Sequence, residues 1–308
     1  MPQTTVPFNS SQDGYRISVN AMVKAPAVVR ARILRMLDQQ FITDAILRQG
    51  PKADGGAVQY WESTPQFTDE DVAVVEEFGQ IPAVVGEMGI PRTVQTVKRA
   101  GGIIISREMR DRDDVGAVDL QMTQLRNTMV RAWENAFLSA LLGNANIHTL
   151  AATAGWGSGT SKIRYDLSQA KYLVSNSDAE TGDNTGENKF MFEPDTLIIS
   201  RKTEADFTSS DDIQKVFLGN IANESLQYKG AMPGTFFGLD VIRSWRIPPN
   251  QAIVLQRKVV GGISDERPLE VSPLTLQADN TETWRSNVVR RSAVFIDQPK
   301  AACLITGV

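Results

Sequence analysis

Between Asp113 and Leu142 the sequence carries a single apolar stripe: Val115, Val118, Met122, Leu125, Met129, Trp133, Ala136, Phe137, Ala140 and Leu141 follow one another mostly at three- and four-residue steps. That period puts all of them on one face of an α-helix. The residues at its ends agree. Asp113 or Asp114 can cap the free N–H groups at the start, and Gly143-Asn144 ends the last turn. At 1.5 Å per residue the helix is a rod of roughly 45 Å. A rod that long with one apolar face suits a chain laid flat across a sheet better than one wrapped into a globule.

Upstream, the first 25 residues are polar and irregular, with prolines at 2, 7 and 26. Residues 27–48 predict a second helix, with Val28, Val29, Ile33, Leu34, Leu37, Phe41, Ile42 and Ile46 in step and Gly50-Pro51 as the stop. After a turn at 52–56, Ala57 to Glu62 predict a strand, and the alternation of residues 92–98 predicts its returning partner before Gly101-Gly102-Ile103-Ile104-Ile105 resumes the main body. The segment between them is unusual. It runs from an acidic half, Asp69, Glu70 and Asp71 to Glu76 and Glu77, into an apolar tip of Phe78, Ile81, Val84, Val85 and Met88, with Ile90 just beyond, and it is broken by Gly79, Gly86 and Gly89. Glycine and proline at this density forbid a long helix, while the apolar residues are too many for a loop facing water. Two foldings fit: a hairpin in the chain's own core, or an extended arm that buries itself on a neighbour.

The second half predicts mixed helix and sheet. A helix begins near Asp166, a polar loop covers 177–189, and Thr196 to Ser200 form a buried strand. A further helix spans 202–218, followed by a Gly/Pro-rich stretch at 230–234 and strands at 239–242 and 252–255. The last 25 residues alternate strongly, as two strands around Gln298-Pro299 would. No internal repeat is visible, and the fold class expected is α+β.

Composition removes most enzyme classes. The one histidine, His148, would have to serve any Ser-His or Cys-His site, yet residues 144–159 predict a Gly/Ala/Ser/Thr loop without a strand-turn-helix frame. Gly155-Trp156-Gly157-Ser158-Gly159 lacks the Lys-Ser/Thr ending of a phosphate loop and the flanking glycines of a nucleophile elbow, so a flexible connection is expected. The pairs Asp113/Asp114 and Asp211/Asp212 are adjacent, point apart, and suit helix N-termini better than a metal. With only Cys303 there is no intrachain disulfide and no Cys-rich cluster. No catalytic residue, cofactor or metal is therefore expected. A net charge of −4 from 32 basic and 36 acidic residues, well mixed, offers no broad cationic face to nucleic acid. No export signal or apolar run near 18 residues is present, which predicts cytoplasmic synthesis.

The order of parts, together with Ile103 to Glu108, Trp133 to Asn144, Glu193 to Ser200, Phe236 to Ile242 and the closing Trp284 to Val308, resembles the major capsid protein of tailed bacteriophages, the Hong Kong 97-type fold. The resemblance covers nearly the whole chain. It implies an N-arm at 1–50 and a P-domain at 51–61, 99–162 and 278–298 with a spine helix at 113–142. It also implies an E-loop β-ribbon at 62–98 and a mixed α/β A-domain at 163–277 and 299–308. By the same resemblance the chain self-assembles into hexamers and pentamers of an icosahedral shell around double-stranded DNA, put together in the bacterial host cytoplasm. The E-loop tip would be a subunit interface. Asp69, Glu70, Asp71, Glu76 and Glu77 would be candidates to pair with Arg107, Arg110, Arg112, Arg285, Arg290 or Arg291 of a neighbour, against the plainer reading of solvated surface charge. Met122, Leu125, Met129, Trp133 and Phe137 would form the spine-helix core. The resemblance further implies a portal and decoration proteins and only weak, non-specific contact with packaged DNA. Because the N-arm begins almost at Met1, a separate scaffolding protein is expected. No lysine lies between Lys52 and Lys98, so the isopeptide weld that some family members make from this loop is not expected. Two alternatives remain: an encapsulin-like compartment with the same fold, and an α/β enzyme with a loop-borne site, for which no nucleophile, base and orienter converge.

Overall fold

The computed structural model describes residues 18–37, 41–53, 55–65, 67–68, 72–86, 88–178, 189–210, 234–277 and 282–308. Along the chain these form α1 (Val19–Lys24), α2 (Pro26–Leu37), α3 (Ile42–Ile46), β1 (Arg48–Gln49), β2 (Ala57–Glu62), β3 (Ile90–Gln95) and β4 (Val97–Ser106). Next come α4 (Arg107–Asp111), α5 (Val115–Leu142), β5 (His148–Ala151), α6 (Ile163–Ser175), β6 (Thr196–Ile199) and α7 (Arg201–Ser209). The chain closes with β7 (Thr235–Phe236), β8 (Leu239–Arg243), β9 (Gln251–Leu255), β10 (Gly262–Val271), β11 (Thr275–Leu276), β12 (Thr283–Phe295), one 3-10 turn and β13 (Ala302–Thr306). Helices and largely antiparallel strands both contribute, in keeping with an α+β fold. Among the described residues no helix is long and apolar enough to cross a membrane.

Two compact units emerge. The first draws on segments 1–41, 97–133 and 267–291. Its centre is α5, whose Val118, Met122, Met129 and Trp133 are buried while Leu125 is half-buried. A Cβ on Gly101 of β4 would lie 2.7 Å from Leu125 Cδ1, so the Leu125 side chain would have to shift to admit it. The adjacent aspartates before α5 divide the work that the sequence left undecided between them. Asp114 accepts from the Ala117 N–H at 3.0 Å and caps the helix. Asp113, held at φ 53°, accepts from the Val19 N–H at 2.6 Å and so ties α1 to α5. Arg32 of α2 adds an ion pair to Asp119 at 2.9 Å.

The second unit draws on 42–96, 134–266 and 292–308. A six-stranded mixed sheet runs β5-β13-β9-β6-β8-β7, and its middle strands are mostly hydrophobic, with all four residues of β6 buried. Ile163, Leu167, Ala170 and Val174 form the buried stripe of α6. Val58, Ala53, Ala293 and Phe295 make a separate small core under the β2-β3 ribbon.

Four expectations need correction. The helix expected over 27–48 is α2 and α3, with 38–40 outside the described residues; Arg48 and Gln49 are taken by parallel pairing with Gly262 and Ile263, a long-range bond that outweighs helical period. The loop expected around His148 contains β5, formed because β13 supplies a parallel partner for His148–Ala151. The stretch Gly155 to Gly159 is anchored: Trp156 is fully buried, its indole N–H donates to Asp166 at 3.2 Å, and its ring meets Phe207 edge-on. The helix expected over 202–218 is α7 up to Ser209, where Ser210 turns extended; 211–218, with Asp211 and Asp212, lie outside the described residues.

Candidate assembly surface

The ribbon is built by period-two alternation. Ala57 to Glu62 pair antiparallel with Gln95 back to Ile90, and Val58, Tyr60 and Glu62 share the inward face of β2. Val58 enters the small core, and the Tyr60 ring stands 5.0 Å from that of Phe295. Glu62 is only 3 % exposed. Its carboxylate accepts from Arg92 Nε at 2.8 Å, Asn144 Nδ2 at 2.9 Å and Asn146 Nδ2 at 3.1 Å. Burial pushes its pKa up, but the hydrogen bonds from Asn144, Arg92 and Asn146 and the Arg92 charge together hold it below the usual value. The same residues line an open polar depression of about 480 Å³ with Ser139 and Gly143.

Beyond Glu62 the chain leaves this packing. Ser63, at φ 54°, donates its N–H to the Asp297 carbonyl at 2.8 Å. A bridge between Thr68 and Gly86 closes the far segment, and a turn from Glu76 to Gly79 reverses it, with Phe78 at φ 67°. Phe78 is 99 % exposed and Ile81 82 %; Val72, Val74, Val85, Met88 and Ile90 are exposed too, and Val84 is 40 % exposed. The hairpin-in-core folding is therefore not the one the structure shows: among the described residues the tip packs against no core of its own subunit. Glu76 and Glu77 are exposed beside Phe78, whereas Asp69, Glu70 and Asp71 lie outside the described residues.

The arginines fall into different settings. Arg107 pairs with Glu282 at 2.6 Å, and Arg110 pairs with Asp111 at 2.8 Å while lying 5.0 Å from the Trp284 ring. Arg285 donates to Asn287 at 2.8 Å, and Arg112 and Arg291 are exposed. Arg290 is enclosed in its own chain, 4.9 Å from the Trp133 ring and 5.7 Å from that of Phe41. Sequence reasoning missed that Arg99, 4.6 Å from the Trp133 ring, also stacks on this indole. In the spine stripe Met122, Met129, Trp133 and Phe137 are buried, and Leu125 is half-buried. Glu62 was also missed, although its place two residues after Tyr60 on an inward face was a signal.

Among the described residues no group of three or more His, Cys, Asp or Glu could hold a metal ion. Cys303 pairs in register with His148, but burial pushes its thiol up to about 12, so it carries its proton at neutral pH.

A family model described as phage capsid protein matches residues 89–305. Among solved structures, the chain is similar to the virus-like particle of Pyrococcus furiosus, at 13 % identity and a TM-score of 0.57 over 91 % of this chain and 98 % of that one. It is similar as well to the capsid of the cyanophage P-SCSP1u, at 10 % identity and a TM-score of 0.60 over 86 % and 88 %. A third likeness is to the capsid of Myoviridae phage XM1, at 11 % identity and a TM-score of 0.52 over 87 % and 92 %. At such identities these likenesses carry the fold alone. No curated protein matches the chain.

Proposed function

The chain belongs to the phage capsid protein family and is a major capsid protein, a structural subunit of the virion shell; from that premise we propose that its exposed ribbon tip is the contact by which copies lock together into hexamers and pentamers. The observation that carries this is the apolar set Phe78, Ile81, Val84, Val85, Met88 and Ile90, gathered in one segment and left facing solvent. Burial of apolar surface stabilises by roughly 25 cal/mol per Å², so a second copy is the natural cover for this tip. Closed shells need contacts of this heterologous kind, repeated in slightly different settings. Glu76 and Glu77 flank the tip and can meet an arginine of the neighbour, with Arg112, Arg285 and Arg291 the accessible candidates.

The shell so built is icosahedral and encloses double-stranded DNA, which a net charge of −4 contacts only weakly and without sequence preference. Assembly takes place in the host cytoplasm with scaffolding, portal and decoration proteins as the further partners, and the chain performs no catalysis. The division into N-arm, E-loop, P-domain and A-domain is assigned as the resemblance implies. The match over 89–305 to phage capsid protein favours a genome-filled head over a cargo compartment. Phe78→Asp and Val85→Asp test the contact. An unpaired charge buried in an apolar interface costs several kcal/mol, so both variants are expected to give folded subunits by circular dichroism and no shells by electron microscopy. Normal shells from either variant would refute the assignment.

A further inference from the structure

The root of the ribbon holds a carboxylate where the alternation of β2 calls for a hydrocarbon. Val58 and Tyr60, on the same face, are packed against Phe295 and its neighbours, and Glu62 continues that face at 3 % exposure. Its two oxygens join separate pieces of backbone: Arg92 brings in β3, and Asn144 and Asn146 bring in the turn after α5. A buried ionic group of this kind adds little stability over well-packed apolar side chains. What it supplies is direction, because hydrogen bonds weaken steeply away from their preferred angles whereas apolar contact is non-directional. The backbone at the same point is equally constrained. A Cβ on Gly89 would fall 2.2 Å from the Glu62 carbonyl oxygen, so the returning chain passes against Glu62 itself. One residue on, Ser63 takes a left-handed conformation and bonds to Asp297.

We propose that Glu62 is the positioning residue of the ribbon, a clasp that fixes the direction in which the chain leaves β2 toward the apolar tip. The proposal rests on the reading of the tip as a contact between copies: an arm that must reach a site on a neighbour loses less freedom on docking if its root is already held. Without the clasp, Arg92, Asn144 and Asn146 have no common acceptor, and the β2-β3 pair keeps its own ladder and the apolar grip of Val58, Tyr60 and Val94 but loses the directional tie to the turn after α5. Glu62→Gln keeps one acceptor for Arg92 and an amide that a rotated Asn144 or Asn146 can pair with, so it loosens the root less than Glu62→Ala does.

Hydrogen exchange on the full-length, unassembled subunit tests this without requiring docking. Glu62→Ala is expected to speed exchange of the amides of 57–62 and 90–95 by at least about tenfold, with Glu62→Gln intermediate and the amides of β6 and β9 unchanged. Ribbon amides that stay protected overturn the proposal, and so does an equal rise in β6 and β9, which would mean that Glu62 serves the whole unit. With the tip intact, Glu62→Ala is expected to yield open or irregular shells; closed shells of normal diameter from a loosened ribbon would also overturn it. Failure of the docking reading shows separately, as normal shells from Phe78→Asp, whatever the ribbon amides do.

Discussion

His148 sits on β5 with its Nε2 enclosed and without a hydrogen-bond partner among the described residues. Burial, and next the positive charge of Lys300, lower its pKa below the ordinary value, while Asp178 opposes them. The sign of the consequence is fixed. The unfolded chain takes up this proton near pH 6.5, before the folded one does, so the contribution of the neutral imidazole is complete above about pH 6.5 and is lost as pH falls through the lower folded value. Urea midpoints of unassembled subunits should therefore drop between pH 7.5 and 5.5, and His148→Gln should flatten that drop; an unchanged slope would place the titrating group elsewhere. Such residue-scale chemistry was only partly legible in the sequence. That any Ser-His or Cys-His site would have to use His148 followed from the counts. That Asp166 accepts from the Thr153 N–H at 3.1 Å and from the Trp156 indole, turning an apparently flexible stretch into an anchored one, did not follow, because nothing in Gly155 to Gly159 announces where its tryptophan goes.

At the scale of elements, α5 was the most legible part, since a stripe of that length has one helical solution. Its centre also gives the largest stability prediction. Trp133 is fully buried between Met129 and Phe137 of the stripe, and the guanidinium groups of Arg99 and Arg290 stand 4.6 and 4.9 Å from its ring. Trp133→Ala removes the packing, at about 3–5 kcal/mol for a buried Trp, and leaves two cations facing the gap without the π surface that steadied them. Against a usual total of about 5–15 kcal/mol, the urea midpoint of the subunit should fall sharply. Phe78→Ala, at a residue 99 % exposed, should barely move it. Equal midpoints for Trp133→Ala and the parent would show that this indole does not support the fold. The short strands were illegible for a physical reason. Two-residue β1 and β11 and four-residue β5 carry no period of their own and depend on a partner edge, which for β1 and β5 comes from β10 and β13 far along the chain and for β11 from the adjacent β12. The break between α2 and α3 was hidden in the same way, because the apolar steps run on through Phe41 to Ile46.

For the whole molecule, the order of ribbon, long helix and closing strands was legible, but that the tip finds no cover among the described residues became plain only from the structure. On the proposed reading of the tip as the contact between copies, the means of holding them together follows from which reactive groups the tip has. A covalent weld through the ribbon needs an amine there to attack a neighbour's side-chain carbonyl, and no lysine lies between Lys52 and Lys98. A disulfide network needs accessible thiols in pairs, and the lone Cys303 is wholly buried and keeps its proton, with a pKa near 12. What remains is burial of apolar surface and charge pairing, each modest for one contact and large only when summed over the neighbours of every copy. Such a shell comes apart wherever detergent can solvate the apolar tips. Shells boiled in sodium dodecyl sulfate, with or without reductant, should therefore run as one band at the 33.8 kDa of a single chain. A ladder of heavier bands that survives reductant would mean that a lysine outside the ribbon forms the bond, and mass spectrometry of the crosslinked peptide would name it.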